Sequence, residues 1–385
     1  MSLIGEVARR REALLESLRE IVTLESPSTD KAAVDRLARL LQERCRGLGA
    51  EVIVYPQAEY GDLTVASWPA RGRDAEPLLV MTHIDTVWPL GTIERRPFVV
   101  EDDVARGPGV FDMKASVAMM LEAVRWLDEH GLEHRPIRWL INTDEEVGSP
   151  VSRPLIEELA RQSSYVLCLE PPVPPMGALK TSRKGVGIFT VRIRGRAAHA
   201  GADPEKGVSA IQELANQIHY LHSLTDFSLG TTVNVGVVGG GTRPNVVAEE
   251  AWARVDLRVA TMSEAERVVA AILGSRPWLP GAEVTVEGGL NRPPMEPSPR
   301  SRALLALAQR CAQALGMPLP ATSTGGGSDG NFVAALGVPV LDGLGAVGGG
   351  FHSADEYLEV ASLPQRAALL ALLVPEACRR EEIVG

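Results

Sequence analysis

"EPLLVMTHIDTVWP" (76–89) decides how the rest of the chain is read. Its opening, "EPLLV", carries four apolar residues in five and reads as a buried β-strand near 77–82. The apolar run then stops at a histidine and an aspartate two residues apart, His83 and Asp85. Side chains at i and i+2 of an extended segment point the same way. One imidazole and one carboxylate therefore face the same small volume where the strand runs out.

Outward from this strand the patterns alternate. Helical spacing covers 3–24 and 31–48, the second stopped by Gly49, and strands are expected at 51–55 and 62–68. Beyond it come a helix over 114–130 with Gly131 as its stop, a strand at 136–142, a helix at 152–161 and a strand at 164–170. Such alternation predicts an α/β fold with a mainly parallel sheet flanked by helices. After the Pro-rich "EPPVPPMG" (170–177) the texture changes. A strand with alternating apolar and polar residues opens "GVGIFTVRIRGRAAHAG" (185–201), followed by a helix at 207–223, strands at 231–238 and 248–260, a helix at 263–273 and a strand at 282–288. This β-α-β-β-α-β order is that of a ferredoxin-like α+β unit. Helices at 301–315 and 329–336, a strand at 338–343 and a last helix at 363–379 resume the first texture. The expected layout is one discontinuous α/β domain, 1–180 and 290–385, interrupted by an inserted domain at 181–289. There is no internal repeat and no low-complexity tract.

Composition narrows the class. Of 385 residues, 45% are hydrophobic and 23% charged, as in an ordinary globular protein. No apolar run reaches the ~18–20 residues of a membrane helix. The first residues, "MSLIGEVARRREALLESLREIVTLES", mix charge with Leu, Val and Ile and lack the apolar block of a signal peptide, so a cytoplasmic location is expected. Cys45, Cys168, Cys311 and Cys378 are scattered and form no CxxC pair, which suits isolated thiols in a reducing compartment. A net charge of −10 argues against nucleic acid or an anionic membrane as partner.

Ligands of open α/β sheets gather beyond the carboxyl ends of the strands. His83 and Asp85 follow one expected strand; Glu145 and Glu146 follow another in "NTDEEVGS"; Glu170 ends "VLCLE". Asp112 lies in "GPGVFDMK" just before a helix, and His352 lies in "GGGFHSADE", past the strand at 338–343. Each has an ordinary reading alone: a surface histidine, a helix N-terminal acid, a solvated loop glutamate. Together, so many carboxylates at one sheet edge would repel one another and resist desolvation. Two divalent cations remove that conflict, and two histidines with three carboxylates, one shared, give each cation three protein ligands and an open position for water. On this argument alone Glu145 and Glu146 are interchangeable.

"MTHIDTV", "GPGVFDMK", "TDEEVGS", "VLCLEP", "RAAHAG" and "GGGFHSADE" together resemble the motifs of the di-zinc metallopeptidase family of glutamate carboxypeptidase (the carboxypeptidase G type), aminoacylase, acetylornithine deacetylase and succinyl-diaminopimelate desuccinylase. The resemblance runs in order along nearly the whole chain and leans toward the glutamate carboxypeptidase branch. One departure is "DMKAS", where Ala115 and Ser116 replace two glycines that are common in the family.

The resemblance implies two Zn2+ per subunit, with Co2+ or Mn2+ also accepted by such ligands. It assigns His83, Asp112 and Glu170 to one metal and Asp112, Glu146 and His352 to the other. Asp85 would orient the His83 imidazole. Glu145 would be the general base that takes a proton from water and returns it to the leaving amine. A glutamate at position 170 accompanies carboxypeptidases and deacylases. In the inserted domain, which the resemblance makes a lid and homodimerisation module, His199 would stabilise the oxyanion in the partner subunit's site. Arg258 and Asn245 would hold the substrate carboxylate, with Lys184 a further candidate. Arg258 has an alternative in pairing with Asp256 on the sheet face. "TGGGSDGN" (324–331) lacks a P-loop's Lys and spacing; Gly326 would let the backbone approach substrate, while Ser328 or Asp329 would otherwise cap the following helix. The implied reaction is hydrolysis of an amide next to a free carboxylate in a small molecule or short peptide, C-terminal glutamate foremost. N-acyl-amino-acid deacylase, dipeptidase and a catalytically inactive binding homologue are the alternatives.

Overall fold

The computed structural model describes residues 5–6, 9–72 and 75–378. They fall into two compact units. The first runs up to Ser182 and takes in Pro297–Thr324 and Ser328 onward; the second comprises Arg183–Glu296 and Gly325–Gly327. In chain order the strands are β1 (Glu51–Tyr55), β2 (Leu63–Trp68), β3 (Leu78–His83), β4 (Val99–Glu101), β5 (Val104–Arg106), β6 (Ile137–Asn142), β7 (Val166–Cys168), β8 (Leu179–Arg183), β9 (Gly185–Arg194), β10 (Thr232–Gly240), β11 (Glu250–Val259), β12 (Glu283–Arg292), β13 (Ala321–Thr324), β14 (Val340–Asp342), β15 (Gly348–Gly349) and β16 (Tyr357–Glu359).

The first unit is built on a sheet of order β1-β2-β6-β3-β7-β14-β8-β13. Its centre is parallel, as β6 pairs with β3, β3 with β7 and β7 with β14. The flanking pairs β1/β2, β2/β6 and β14/β8 are antiparallel. Connection length explains the split. Helices Ala115–Glu129 and Arg153–Arg161 carry the chain back between parallel strands, whereas no helix separates β7 from β8, and a parallel return needs a crossover. The predicted mainly parallel sheet with flanking helices is thus present around β3.

All six residues of β3 are buried, as a central strand covered on both faces requires. Leu78 and Val80 join a core with Val117, Leu121 and Leu370. Helix Ser362–Cys378 packs on Ala115–Glu129 and on Pro299–Ala314. Trp139 of β6 buries its indole here and satisfies Nε1–H on the Thr82 hydroxyl at 2.9 Å. The expected helix over 3–24 is described as Arg11–Thr23, and residues 3–4 and 7–8 lie outside the described residues. So does 379, at the end of the last expected helix.

A small antiparallel sheet of order β15-β16-β5-β4 has no counterpart in the sequence reading. Its strands hold only two or three residues each, too few to show a period of two. It pairs Tyr357 with Arg106 and so draws the segment after His352 toward the segment before Asp112.

In the second unit the order is β10-β11-β9-β12, antiparallel throughout, with helices Ala210–Ser223 and Met262–Leu273 in the β-α-β-β-α-β sequence. Strict alternation builds its core: Ala251, Ala253, Val255, Leu257 and Val259 of β11 point inward beside Phe189, Val191 and Ile193 of β9. Ser209 and Thr261 cap the two helices through their hydroxyls.

Candidate metal centre

β3 delivers His83 at its carboxyl end, buried to 2% exposure. Nε2 lies 3.2 Å from Asp112 Oδ1 and 3.6 Å from Glu170 Oε1. Nδ1 lies 3.0 Å from the Asp85 main-chain carbonyl and 3.5 Å from its carboxylate. A carbonyl can only accept, so Nδ1 carries the proton and a neutral His83 offers Nε2 as its lone pair. Asp85 is fully buried, and its carboxylate does more than face His83. It accepts from the Ser28 hydroxyl at 2.7 Å and from the main-chain N–H groups of Glu145 and Glu146 at 3.2 and 3.1 Å. The residue after the strand thereby fixes the short helical turn that carries both glutamates.

Asp112 sits in the turn Val110–Lys114, with its own backbone extended at φ −114°, ψ 97°, so it is not the helix cap that its position suggests. The helix begins only at Ala115. Asp112 Oδ2 lies 3.4 Å from His352 Nε2, which is 3.0 Å from Glu146 Oε2. Two overlapping groups result: His83, Asp112 and Glu170, and Asp112, Glu146 and His352, the ligand atoms within each lying within 4.8 Å of one another. Glu145 belongs to neither group, although its main chain is held beside Glu146.

The electrostatics show what this cluster lacks when it stands alone. Burial would lower the His83 pKa, but hydrogen bonds to Asp112 and Asp85 outweigh it and hold the imidazole well above its ordinary range. His352 is raised to about 10 by hydrogen bonds to Asp112 and Glu146. Burial, with the Asp112 charge, pushes Glu146 up to about 7. Burial would raise Asp112 too, but hydrogen bonds from His352 and His83 reverse this and hold it well below its usual value. Protonated imidazoles thus supply the positive charge that the carboxylates demand. Two imidazoles, three carboxylates and no thiolate fit first-row divalent cations, and the shared Asp112 fits a pair of them.

Of the other sequence candidates, His199, Asn245, Arg258, Lys184 and Gly326 all belong to the second unit. His199 and Asn245 are neighbours there: His199 bridges Val246, and the Ala200 N–H donates to the Asn245 carbonyl at 3.0 Å. His199 Nδ1 accepts from the N–H groups of Gly201 and Ala202 at 3.1 and 3.0 Å. The neutral ring therefore carries its proton on Nε2. Arg258 forms a two-pronged pair with Asp256, both bonds 2.9 Å. Gly326 and Gly327 each offer a carbonyl to the buried Arg183, at 3.2 and 3.1 Å. Lys184 is half-buried beside Gly230.

Of the two alternative caps of the Gly-rich loop, Ser328 makes a capping bond and Asp329 does not. Asp329 makes no capping bond and instead accepts from Asn142 Nδ2 at 2.5 Å and from the Ser149 hydroxyl. Ser328 donates to Asp342 at 2.7 Å while accepting from the Gly330 N–H at 3.1 Å. Ser28, Arg183 and Glu356 do not stand out in the sequence; Arg183 neighbours Lys184 and Glu356 closes "GGGFHSADE", and that adjacency is the available signal.

Comparison with known proteins agrees with this geometry. Residues 79–376 match the model of Peptidase family M20/M25/M40. Carboxypeptidase G2 of Pseudomonas sp. (strain RS-16) is 31% identical over 369 residues, which cover 94% of this chain and 88% of the relative. A succinyl-diaminopimelate desuccinylase of Ectopseudomonas mendocina is 29% identical, covering 77% of this chain and 82% of the relative. Among solved structures, aminopeptidase PepT from Bacillus cereus superposes with a TM-score of 0.78 at 25% identity, covering 95% of this chain and 98% of that one. The chain belongs to Peptidase family M20/M25/M40 and is an enzyme of the metallopeptidase class.

Proposed function

We propose that the chain is a zinc-dependent carboxypeptidase-like amidohydrolase that cleaves an amide next to a free carboxylate, with C-terminal glutamate as the leaving residue. The observation that carries the reading is the pair of ligand groups sharing Asp112, with Glu145 on the same turn as Glu146 but in neither group. The similarity to carboxypeptidase G2 supports the carboxypeptidase sense of cleavage.

His83, Asp112 and Glu170 would hold one cation, and Asp112, Glu146 and His352 the other. Bound there, the cations supply Lewis acidity toward water and toward the scissile carbonyl. Glu145 takes the proton of the attacking water and delivers it to the departing amine. Asp85 holds the turn, so the base and its neighbouring ligand keep a fixed separation. His199, its Nε2–H directed by the two bonds to Nδ1, donates to the oxyanion of a partner subunit's substrate. Arg258, braced by Asp256, receives the substrate carboxylate together with Asn245, with Lys184 and the backbone at Gly326 beside it.

The homodimer forms through the second unit. There β10 is an edge strand whose Val237 and Val238 are about half exposed, a surface suited to pairing with a second copy. No helix among the described residues is long and apolar enough to cross a membrane. The four cysteines are buried, and their scatter along the chain suits a cytoplasmic enzyme.

The test is amino-acid release from three substrate sets by zinc-loaded protein: N-acyl and pteroyl glutamates, N-acetylated neutral amino acids, and dipeptides with free N-termini. Release from the first set, abolished by a chelator, is the expected result. Preference for the second or third set would replace the carboxypeptidase assignment by deacylase or dipeptidase.

A further inference from the structure

One buried carboxylate outside both ligand groups ties together the segments that carry the ligands. Glu356 follows His352 by four residues and is 1% exposed. Its Oε1 accepts from the main-chain N–H groups of Phe111 and Asp112, at 3.0 and 3.2 Å. Oε2 accepts from the Gly109 N–H at 3.0 Å and from the Trp88 indole N–H at 2.9 Å. Four donors fill the acceptor directions of a carboxylate. Glu356 therefore has no lone pair left for a cation and acts on the centre only through what it holds.

What it holds is specific. Trp88 follows the segment with His83 and Asp85; Gly109, Phe111 and Asp112 form the turn that presents the shared carboxylate; Glu356 itself ends the turn that presents His352. That last turn is otherwise held by local hydrogen bonds at the Ser353 hydroxyl, which donates to the Gly350 carbonyl at 2.9 Å and accepts from the Asp355 N–H at 3.2 Å, and by the Phe351 ring 6.5 Å from that of Phe111. His352 has a left-handed backbone, φ +58°, unfavourable for a residue with a Cβ, and its side chain is about half exposed. Ser353 N–H donates to the Gly350 carbonyl at 3.0 Å and Glu356 N–H to the Ser353 carbonyl at 3.1 Å. Within 350–356, Glu356 is the one buried residue. A second strand of contacts runs parallel to the first: the Arg96 guanidinium lies 4.5 Å over the Trp88 ring and donates to the Ser353 carbonyl at 3.5 Å.

We propose that Glu356 is a positioning residue that sets the spacing of Asp112 and His352, and hence the affinity and coordination of the second cation, held by Asp112, Glu146 and His352. The proposal rests on the dinuclear reading above. A carboxylate is required because a glutamine of the same size offers one acceptor oxygen and turns an NH2 toward two of the four donors.

The test compares wild type and E356Q titrated with Co2+ alone, by calorimetry and visible absorption, with circular dichroism to check the fold. E356Q is expected to keep the first Co2+ within a few-fold and to bind the second roughly 10- to 100-fold more weakly. The cobalt absorption bands should change, and excess Co2+ should restore part of kcat with KM little altered. W88F, which removes one donor, should show the same pattern at smaller size, and it decides the matter if E356Q does not fold. Unchanged second-ion affinity and spectrum, or equal weakening of both ions, overturns the proposal while leaving two-ion binding by wild type intact. Fewer than two ions on wild type overturns the dinuclear reading and this proposal with it.

Discussion

Glu145 and Glu146 are adjacent and alike, and their surroundings separate them. Glu146 Oε2 lies 3.0 Å from His352, inside a ligand group; Glu145 lies outside both. Replacing Glu145 by Gln should lower kcat roughly 10²- to 10⁴-fold, the range for a lost general base, with metal content unchanged by elemental analysis. Asp85→Asn should cost about 10- to 100-fold in kcat/KM, because an amide cannot accept on both sides from the Glu145 and Glu146 N–H groups. The titration behaviour gives a third prediction. His83 and His352 are held protonated by their carboxylate neighbours, and a cation must displace those protons. Cation affinity should therefore rise with pH, and fall steeply once Glu146, raised to about 7, also takes a proton. Calorimetry in buffers of different ionisation enthalpy would show proton release on binding; pH-independent affinity without release would contradict it. His83, Glu145, Glu146 and Glu170 stand out in the sequence because they follow strand ends, whereas Asp112 and His352 lie in turns and stand out only through the motifs around them. Glu356 does not stand out, since three of its four donors are backbone N–H groups 244 to 247 residues away and the fourth is the Trp88 indole 268 residues away, and no local pattern records such bonds.

Among elements, β3 carries most of the positioning. It lies between β6 and β7 at the sheet centre, and Leu79 within it is fully buried. Leu79→Ala should cost about 2–5 kcal/mol of stability, read from the denaturant midpoint at unchanged slope. The β15–β16 pair is the complementary case. A Cβ at Gly348 would lie 2.2 Å from the Tyr357 carbonyl and 2.8 Å from the Phe111 ring, so Gly348→Ala must displace the strand pair that leads to His352. Long or strongly periodic elements were readable: the "LLVMTH" run, the alternation in β11, the helix over 115–129 stopped by Gly131. The antiparallel flank at β8 was not, because its direction follows from a missing crossover helix rather than from its own residues.

The chain as a whole combines a unit that contains every candidate cation ligand with a second unit that contains His199, Asn245 and Arg258. If His199 serves a partner's site, E145A and H199A proteins, each inactive, should regain activity when mixed and allowed to exchange subunits; persistent inactivity of the mixture would confine each site to one chain. The change of texture after "EPPVPPMG" suggests an insert at 181–289, whereas the second unit spans Arg183–Glu296 and takes in Gly325–Gly327, whose carbonyls at 326 and 327 accept from Arg183, a contact no local pattern announces. The central claim is that one site holds two cations through a shared Asp112. Anomalous diffraction from zinc-loaded crystals addresses it: two peaks roughly 3.5–4 Å apart, one beside His83 and Glu170 and the other beside Glu146 and His352, with Asp112 between, is the predicted result. A single peak, or zinc bound away from Asp112, would contradict it.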